Sequence, residues 1–160
     1  MKSTIIITLL YLLLAGIGLT DSLENPNPRV NTYSIVCYDP DTGQLGAAVQ
    51  SHYFKVADVI WLEPGIGAIA TQSLVDFAYG PVGLEMMSKG RTAKQALAGL
   101  LASDPNNDVR QVAMIDVNGI VVAHTGDKCI PEAGHLVGEN YSVQANLMRN
   151  ATGLVEEPIF

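Results

Sequence analysis

Polar residues that could do chemistry stand at the two ends of an apolar hairpin-like stretch. Thr32 heads the segment TYSIVCY, and a polar cluster of Gln50, Ser51 and His52 stands at the end of the second segment, LGAAVQS. A threonine hydroxyl becomes an effective nucleophile only when a nearby base takes its proton. Strand alternation puts Thr32 and Ser34 on one face, so a hydroxyl pair could face a cleft. Threonine and serine are also ordinary strand residues, and taken alone the pattern favours that structural role.

Further polar candidates follow later apolar segments or share one loop. They are Gln72, His124 and Gln144 (with Asn146 beside it) at strand ends, and Cys129 and His135 in the loop. A cysteine and a histidine could form a nucleophilic pair, although no motif positions these two. His124 is more typical of a hydrogen-bonded structural residue. The chain lacks zinc-ligand spacing, a Gly-rich phosphate loop and a nucleophile-elbow motif, so we predict no metal and no cofactor.

The elements that must position these residues are mostly strands. Alternating apolar residues and turn signals predict strands at 32–38, 45–51, 59–62, 66–71, 109–117, 120–125 and 141–145, with a loop at 126–139. Helical spacing predicts two helices between them, one ended by Gly90 and one begun by a Thr92 capping box and stopped at Asp104-Pro105. Strands and helices that are segregated in this way indicate an α+β domain with antiparallel sheets. The Asn118-Gly119 pair predicts a type I′ hairpin turn.

The first 31 residues differ from the rest. Lys2 followed by an apolar run and small residues is the layout of a secretory signal peptide, which we place at 1–20, with a polar linker at 21–31 and the domain at 32–160. The alternative is an uncleaved membrane anchor, but the run is shorter than the roughly 20 residues of a spanning helix. We therefore predict a secreted or periplasmic protein without a stable membrane anchor.

Charge and cysteine content restrict the partners. The net charge of −7 and the lack of a basic cluster make nucleic acid an unlikely partner. In an oxidising compartment Cys37 and Cys129 could form one disulfide, but two separate thiols are favoured because Cys37 lies inside a strand pattern. The sequence leaves a homo-oligomer open.

Six phrases, in a fixed order, carry a family resemblance. TYSIVCYDPDTGQLGAAVQSHYF, PGIGAIATQS, YGPVGLEMMSKGRTAKQALAGLLASDP, RQVAMIDVNGIVVAHTG, CIPEAGHLVG and YSVQANLM resemble the family catalogued as domain of unknown function 1028. The resemblance implies an Ntn-hydrolase-like αββα sandwich, in which two antiparallel sheets stack face to face with helices outside. It also implies that the family's domain continues beyond YSVQANLM, so the chain is expected to be truncated at its C-terminus or to be a short form.

The same resemblance implies a reaction. Related hydrolases cleave carbon–nitrogen amide bonds with a first-strand nucleophile whose freed α-amine is the base, and Thr32 matches that position. We expect a peptide or small-molecule amide as substrate. The lysine that proteasome-like relatives use near the third strand is absent, and a polar segment precedes Thr32. The alternatives are an inactive binding module at a cell-surface polymer and a non-functional truncated product.

The resemblance and the strand alternation together give three geometric expectations. Thr32, Ser34 and Gln50 should line the gap between the sheets. The opposite face, with Tyr33, Ile35 and Cys37, should pack against the helices. If the domain needs residues beyond 160, the last strand should form a sheet edge.

Overall fold

The computed structural model describes residues 31–148, so the predicted signal peptide and nearly all of the predicted linker lie outside the described residues. Within residues 31–148 the chain forms four strands, two helices and four more strands. These are β1 (Thr32–Tyr38), β2 (Leu45–Gln50), β3 (Ile60–Glu63), β4 (Gly67–Ser73), α1 (Tyr79–Ser88), α2 (Ala93–Ser103), β5 (Arg110–Asp116), β6 (Val121–Thr125), β7 (Gly134–Gly138) and β8 (Tyr141–Asn146). Short 3₁₀ turns precede β3 and β5, at Val56–Val59 and Asn107–Val109.

Two four-stranded antiparallel sheets make up the domain. The first has the order β2-β1-β8-β7 and the second the order β3-β4-β5-β6. The predicted α+β class with antiparallel sheets is therefore confirmed. Strand β8 lies between β1 and β7, so the sheet edge that was expected of the last strand in a truncated domain is not formed by β8.

Strand β7 lies inside the segment that was predicted to be a loop, and that prediction is wrong for residues 134–138. Its sequence, GHLVG, has glycine at both ends and only one short apolar pair, so its strand signal is weak. Pairing to β8 across a two-residue turn creates the strand, and Asn140 adopts a φ of 62° in that turn. Asparagine tolerates this left-handed conformation better than most residues.

A small-residue core lies between the two sheets. Val36 from the first sheet packs against Ala68, Ala70, Ala113 and Ile115 from the second, and all five are fully buried. Alanines let the sheets approach closely. The polar residues that share these inner faces are therefore enclosed as well.

Both helices pack on the outer face of the second sheet. Leu84 and Met87 of α1 join Leu97 of α2 in a cluster with Ile69 and Met114 of the sheet. Helix α2 begins at the predicted capping box, in which the Thr92 hydroxyl accepts from the backbone N–H of Gln95.

The face of β1 expected to meet the helices does not do so. Tyr33 is 51% exposed, and the helices lie on the other sheet. Strand alternation correctly separates Ser34 from Tyr33, but it carries no information about which sheet a helix will cover. The assignment of Tyr33, Ile35 and Cys37 to the helix interface is therefore wrong.

Two local expectations have clear outcomes. Cys37 and Cys129 are free thiols, as favoured. The turn at Asn118-Gly119 is not type I′, since only Gly119 has a positive φ. The Asp116 carboxylate accepts from the backbone N–H groups of Asn118 and Ile120, and this contact favours a wider turn.

Candidate functional site

A cleft of about 480 Å³ opens where the ends of β1, β4 and β8 meet. Its polar lining residues are Thr32, Ser51, His52, Thr71, Gln72, Ser73 and Asn146. Its apolar and aromatic lining residues are Tyr53, Val56, Val59, Leu74, Val75, Phe77, Ile130 and Leu147. The cleft thus joins a polar end to an apolar wall, and none of these lining residues is an Asp, Glu, Lys or Arg.

Thr32 lies at the start of β1, where the predicted nucleophile should be. Its Oγ1 is 2.8 Å from the Oγ of Ser51, which directly follows β2. The antiparallel pairing of β1 with β2 brings these two hydroxyls together from opposite ends of the hairpin. No carboxylate, imidazole or amine is hydrogen-bonded to the Thr32 hydroxyl within the described residues.

Buried amide side chains form the floor beside Thr32. Asn146, the register partner of Thr32 across β1 and β8, donates to Oε1 of Gln72 at 3.1 Å and to Oε1 of Gln111 at 3.0 Å. Ser34 accepts from Gln72 Nε2 at 2.5 Å and from Gln144 Nε2 at 2.7 Å. The four amides are at most 2% exposed, so each hydrogen bond is shielded from water.

The orientation of these amides is fixed by the backbone. Gln111 Nε2 is 3.0 Å from the carbonyl oxygens of Gly134 and Ala145, which can only accept. Gln111 must therefore present Oε1 to Asn146, and Asn146 must present its nitrogen to Gln111. The Oδ1 of Asn146 is left as the remaining polar atom of that side chain.

Two strained residues border the same cleft. Ser73 at the end of β4 has a φ of 63°, and Leu147 just after β8 has a φ of 57°. Such backbone costs about 1–3 kcal/mol for a residue other than glycine, and it concentrates at functional sites. Both residues bind one loop, because Ser73 Oγ accepts from Ile130 N–H and Leu147 N–H donates to Pro131 O. The two strained residues are therefore the ones that hold the loop at residues 130–131 beside the cleft.

A partly buried ion pair supports the apolar wall. Arg110 donates from Nη1 to the carbonyl of Leu74 at 2.6 Å and from Nε to Asp104 at 2.7 Å. The guanidinium hydrogen bond holds the pKa of Asp104 below its ordinary value. Tyr79 donates to the same carboxylate, and burial raises the pKa of this phenol, with the Asp104 charge adding to the effect.

The predicted site residues divide into three groups. The cleft itself holds Thr32, Ser51, His52 and Gln72, and the enclosed network behind it holds Ser34 and Gln144. The other four, Gln50, His124, Cys129 and His135, do not line this cleft.

The expected orientation of Gln50 is wrong. Gln50 pairs with Tyr33, so it lies on the outer face of the first sheet, and it is exposed. Because side chains alternate, the next residue, Ser51, lies on the inner face opposite Thr32, so Ser51 rather than Gln50 reaches the cleft.

The other three have partners elsewhere. His124 Nε2 is 2.8 Å from the carbonyl of Asn107, and the Cys129 thiol donates to the carbonyl of Arg110. His135 Nδ1 is 2.8 Å from the Thr125 hydroxyl, and burial, followed by the nearby His124, lowers its pKa. The structure thus gives Cys129 and His135 different partners rather than a shared nucleophilic pair.

The sequence analysis missed two enclosed polar residues, Gln111 and Thr71. Gln111 shares a strand face with Ala113 and Ile115, so a polar residue on an apolar inner face was the available signal. The Thr71 hydroxyl is buried without a hydrogen-bond partner among residues 31–148. No alternation pattern could have revealed this.

Residues 31–148 contain no group of three or more His, Cys, Asp or Glu side chains arranged to hold a metal ion. No helix in that part of the chain is long and apolar enough to cross a bilayer.

The fold and cleft define a two-sheet α+β protein with a polar site at the strand ends, and comparison with known proteins gives its family. Residues 32–156 match the model of a family of unknown function, DUF1028, and the chain belongs to that family. The crystal structure of protein SPO2555 from Silicibacter pomeroyi, which carries the same family model, is similar with a TM-score of 0.71. The identity is 23%, so this likeness concerns the fold, and the match covers 76% of this chain and 55% of that chain. No curated protein matches the sequence.

Proposed function

We propose that this protein hydrolyses carbon–nitrogen amide bonds, with Thr32 as the nucleophile once Thr32 has become the first residue of the chain. The observation that carries the proposal is the position of the Thr32 hydroxyl, which lines a cleft of about 480 Å³ and contacts the Ser51 hydroxyl. The two stacked sheets support an Ntn-hydrolase-like architecture, in which the first strand delivers the nucleophile. A secreted location, after removal of residues 1–20, belongs to the same proposal.

The Thr32 hydroxyl contacts the Ser51 hydroxyl, which is not a base at neutral pH, and we therefore propose that processing of the chain supplies the base. With residue 31 attached, the nitrogen of Thr32 is an amide and cannot take a proton. Cleavage before Thr32 frees an α-amine with a pKa near 8, which can accept the proton of Oγ1. The oxygen then attacks the substrate carbonyl carbon and forms an ester with Thr32. The carbon–nitrogen bond breaks as the leaving nitrogen takes the proton, and water hydrolyses the ester.

A direct test compares cut and uncut protein. The recognition sequence of a site-specific protease is inserted before Thr32 in the full chain, so that cleavage of the folded protein leaves Thr32 first. Both forms are incubated with an uncharged alkyl β-lactone, which an activated hydroxyl opens to give an ester of known added mass. We expect adduct formation at Thr32 to be about 10²-fold or more faster in the cut form, since general-base help contributes 10²–10⁴.

Controls separate the proposal from its rival. Thr32→Ser should keep the labelling, whereas Thr32→Ala should abolish it. Equal labelling of cut and uncut protein, or an adduct elsewhere, would contradict the proposal. A natural mature chain that begins before Thr32 would instead favour the binding module, since the nitrogen of Thr32 would remain an amide and could not act as the base.

A further inference from the structure

The floor of the cleft carries a hydrogen-bond acceptor whose orientation the protein cannot reverse. The two backbone carbonyls on Gln111 Nε2 fix that amide, and Gln111 in turn fixes Asn146. An amide nitrogen has two hydrogens, and Asn146 uses both, on Gln111 and Gln72. Asn146 therefore has no N–H to offer a ligand.

The remaining polar atom of the side chain, Oδ1 of Asn146, accepts no hydrogen bond from residues 31–148. Asn146 is only 2% exposed, and it lines the cleft. Both hydrogens of its nitrogen are directed at Gln72 and Gln111, so Oδ1 is the atom of this side chain that has hydrogen-bonding capacity left for a ligand.

This acceptor lies beside the proposed nucleophile. Asn146 and Thr32 are register partners on neighbouring strands, and such pairs have Cβ atoms about 4.5–5.5 Å apart. A group bound with its carbonyl at the Thr32 hydroxyl thus places its next atoms near Asn146. The surrounding wall, from residues such as Val59 and Phe77, is apolar and uncharged.

We infer that the cleft selects an uncharged amide that bears hydrogen on nitrogen, and that it donates this N–H to Oδ1 of Asn146. An ester of the same shape would leave Oδ1 facing an ester oxygen, another acceptor. The inference rests on the proposed function for the bond that is placed at Thr32, but the N–H recognition itself concerns binding. Asn146 thereby becomes a specificity-determining residue.

Two small probes isolate the N–H. N-methylbenzamide and methyl benzoate have nearly the same shape and differ by an N–H in place of an oxygen. Ligand-observed NMR with the full, uncleaved chain measures the binding of each. We expect the amide to bind about tenfold or more tightly, because the ester leaves a buried acceptor unpaired. A carboxylate-bearing analogue, N-methylterephthalamate, should bind at least tenfold more weakly than the amide, since none of the described residues that line the cleft is Lys or Arg.

Variants assign the preference to one atom. Asn146→Leu should equalise the two probes, whereas Leu136→Ala, on the exposed outer face of the first sheet, should leave the preference unchanged. If Asn146→Leu fails to fold, the comparison of amide and ester binding to the unchanged chain still tests the inference. An ester that binds as tightly as the amide would overturn the inference, as would binding of neither at about 10 mM, the range expected for such a small ligand.

Failure of this inference is distinguishable from failure of the proposed function. Labelling of Thr32 by the lactone, without tighter binding of the amide probe, would support the proposed hydrolase and contradict the proposed role of Asn146. Amide preference without labelling would leave a binding site for N–H amides and remove the chemistry.

Discussion

Replacing Thr71 by valine tests whether β4 carries an enclosed hydroxyl without a hydrogen-bond partner. Thr71 is 1% exposed in β4, and its hydroxyl has no partner among residues 31–148. Valine has nearly the same shape and keeps the β-branch that suits a strand. The substitution therefore removes an unpaired hydroxyl without opening a cavity.

The expected gain follows from the cost of burying an unpaired polar group. A buried hydroxyl that loses its water without gaining a partner costs about 1–3 kcal/mol. We therefore expect Thr71→Val to raise the free energy of unfolding by about 1–2 kcal/mol. For a domain of this size that is a rise of several degrees in melting temperature, about 2–4 °C per kcal/mol.

Thr125→Val is the matched control. Thr125 lies in β6, and its hydroxyl is 2.8 Å from His135 Nδ1 and 3.2 Å from Gln111 Nε2. The two hydrogens of Gln111 Nε2 are directed at the nearer carbonyls of Gly134 and Ala145, so the same chemical change removes the hydrogen bond to His135 and should lower stability by about 1 kcal/mol.

Urea denaturation, followed by fluorescence of the single tryptophan, gives both values from the midpoint and slope of each transition. Opposite signs for the two threonines are the expected result. A loss of stability in Thr71→Val would refute the reasoning, because it would show that the hydroxyl has a stabilising partner.

Two further predictions concern the supports of the cleft wall. A Cβ on Gly80 would lie 2.0 Å from the ring of Trp61, so Gly80→Ala should lower the free energy of unfolding by about 1–3 kcal/mol or more. The control Gly99→Ala, also in a helix, should be neutral or stabilising in the same denaturation assay. Asp104→Asn should lower stability at pH 7 by about 1–3 kcal/mol, because the Arg110 guanidinium loses its carboxylate. Since that contact lowers the pKa of Asp104, its stabilisation exists above the ordinary carboxylate range and is lost as pH falls through the lowered pKa. The loss caused by Asp104→Asn should therefore shrink below about pH 4, and an undiminished loss there would contradict this assignment.

The elements that have a strong local signal could be predicted from the sequence alone. The capping box at Thr92 and the two-sided pattern of β1 are local features, and both are present in the structure. Strand β7 has no such signal, since it exists through its pairing with β8. The helix contact with the second sheet was also beyond prediction, because helix packing depends on the chain path after Ser73 and not on the alternation of β1.

The residues of the candidate site that stand at strand ends could also be predicted from the sequence, whereas Gln111 could not. Thr32, Ser51 and Gln72 stand at strand ends, and antiparallel pairing brings such ends together. Gln111 was missed because nothing in RQVAMID says that a glutamine will meet two backbone carbonyls. Sequence gives the donors and acceptors of a side chain, whereas their direction depends on partners distant along the chain.

That dependence is the reason why Asn146 can discriminate between ligands. A glutamine or asparagine free to rotate its amide would accept from an amide N–H and donate to an ester oxygen, and so would distinguish the two only weakly. Here Gln111 removes that freedom, since reversing its amide would set oxygen against the carbonyls of Gly134 and Ala145. Reversing Asn146 would likewise set oxygen against the Oε1 atoms of Gln111 and Gln72. Because backbone carbonyls fix the orientation of Gln111, and Gln111 fixes that of Asn146, the Asn146 side chain can only accept a hydrogen bond from a ligand next to Thr32.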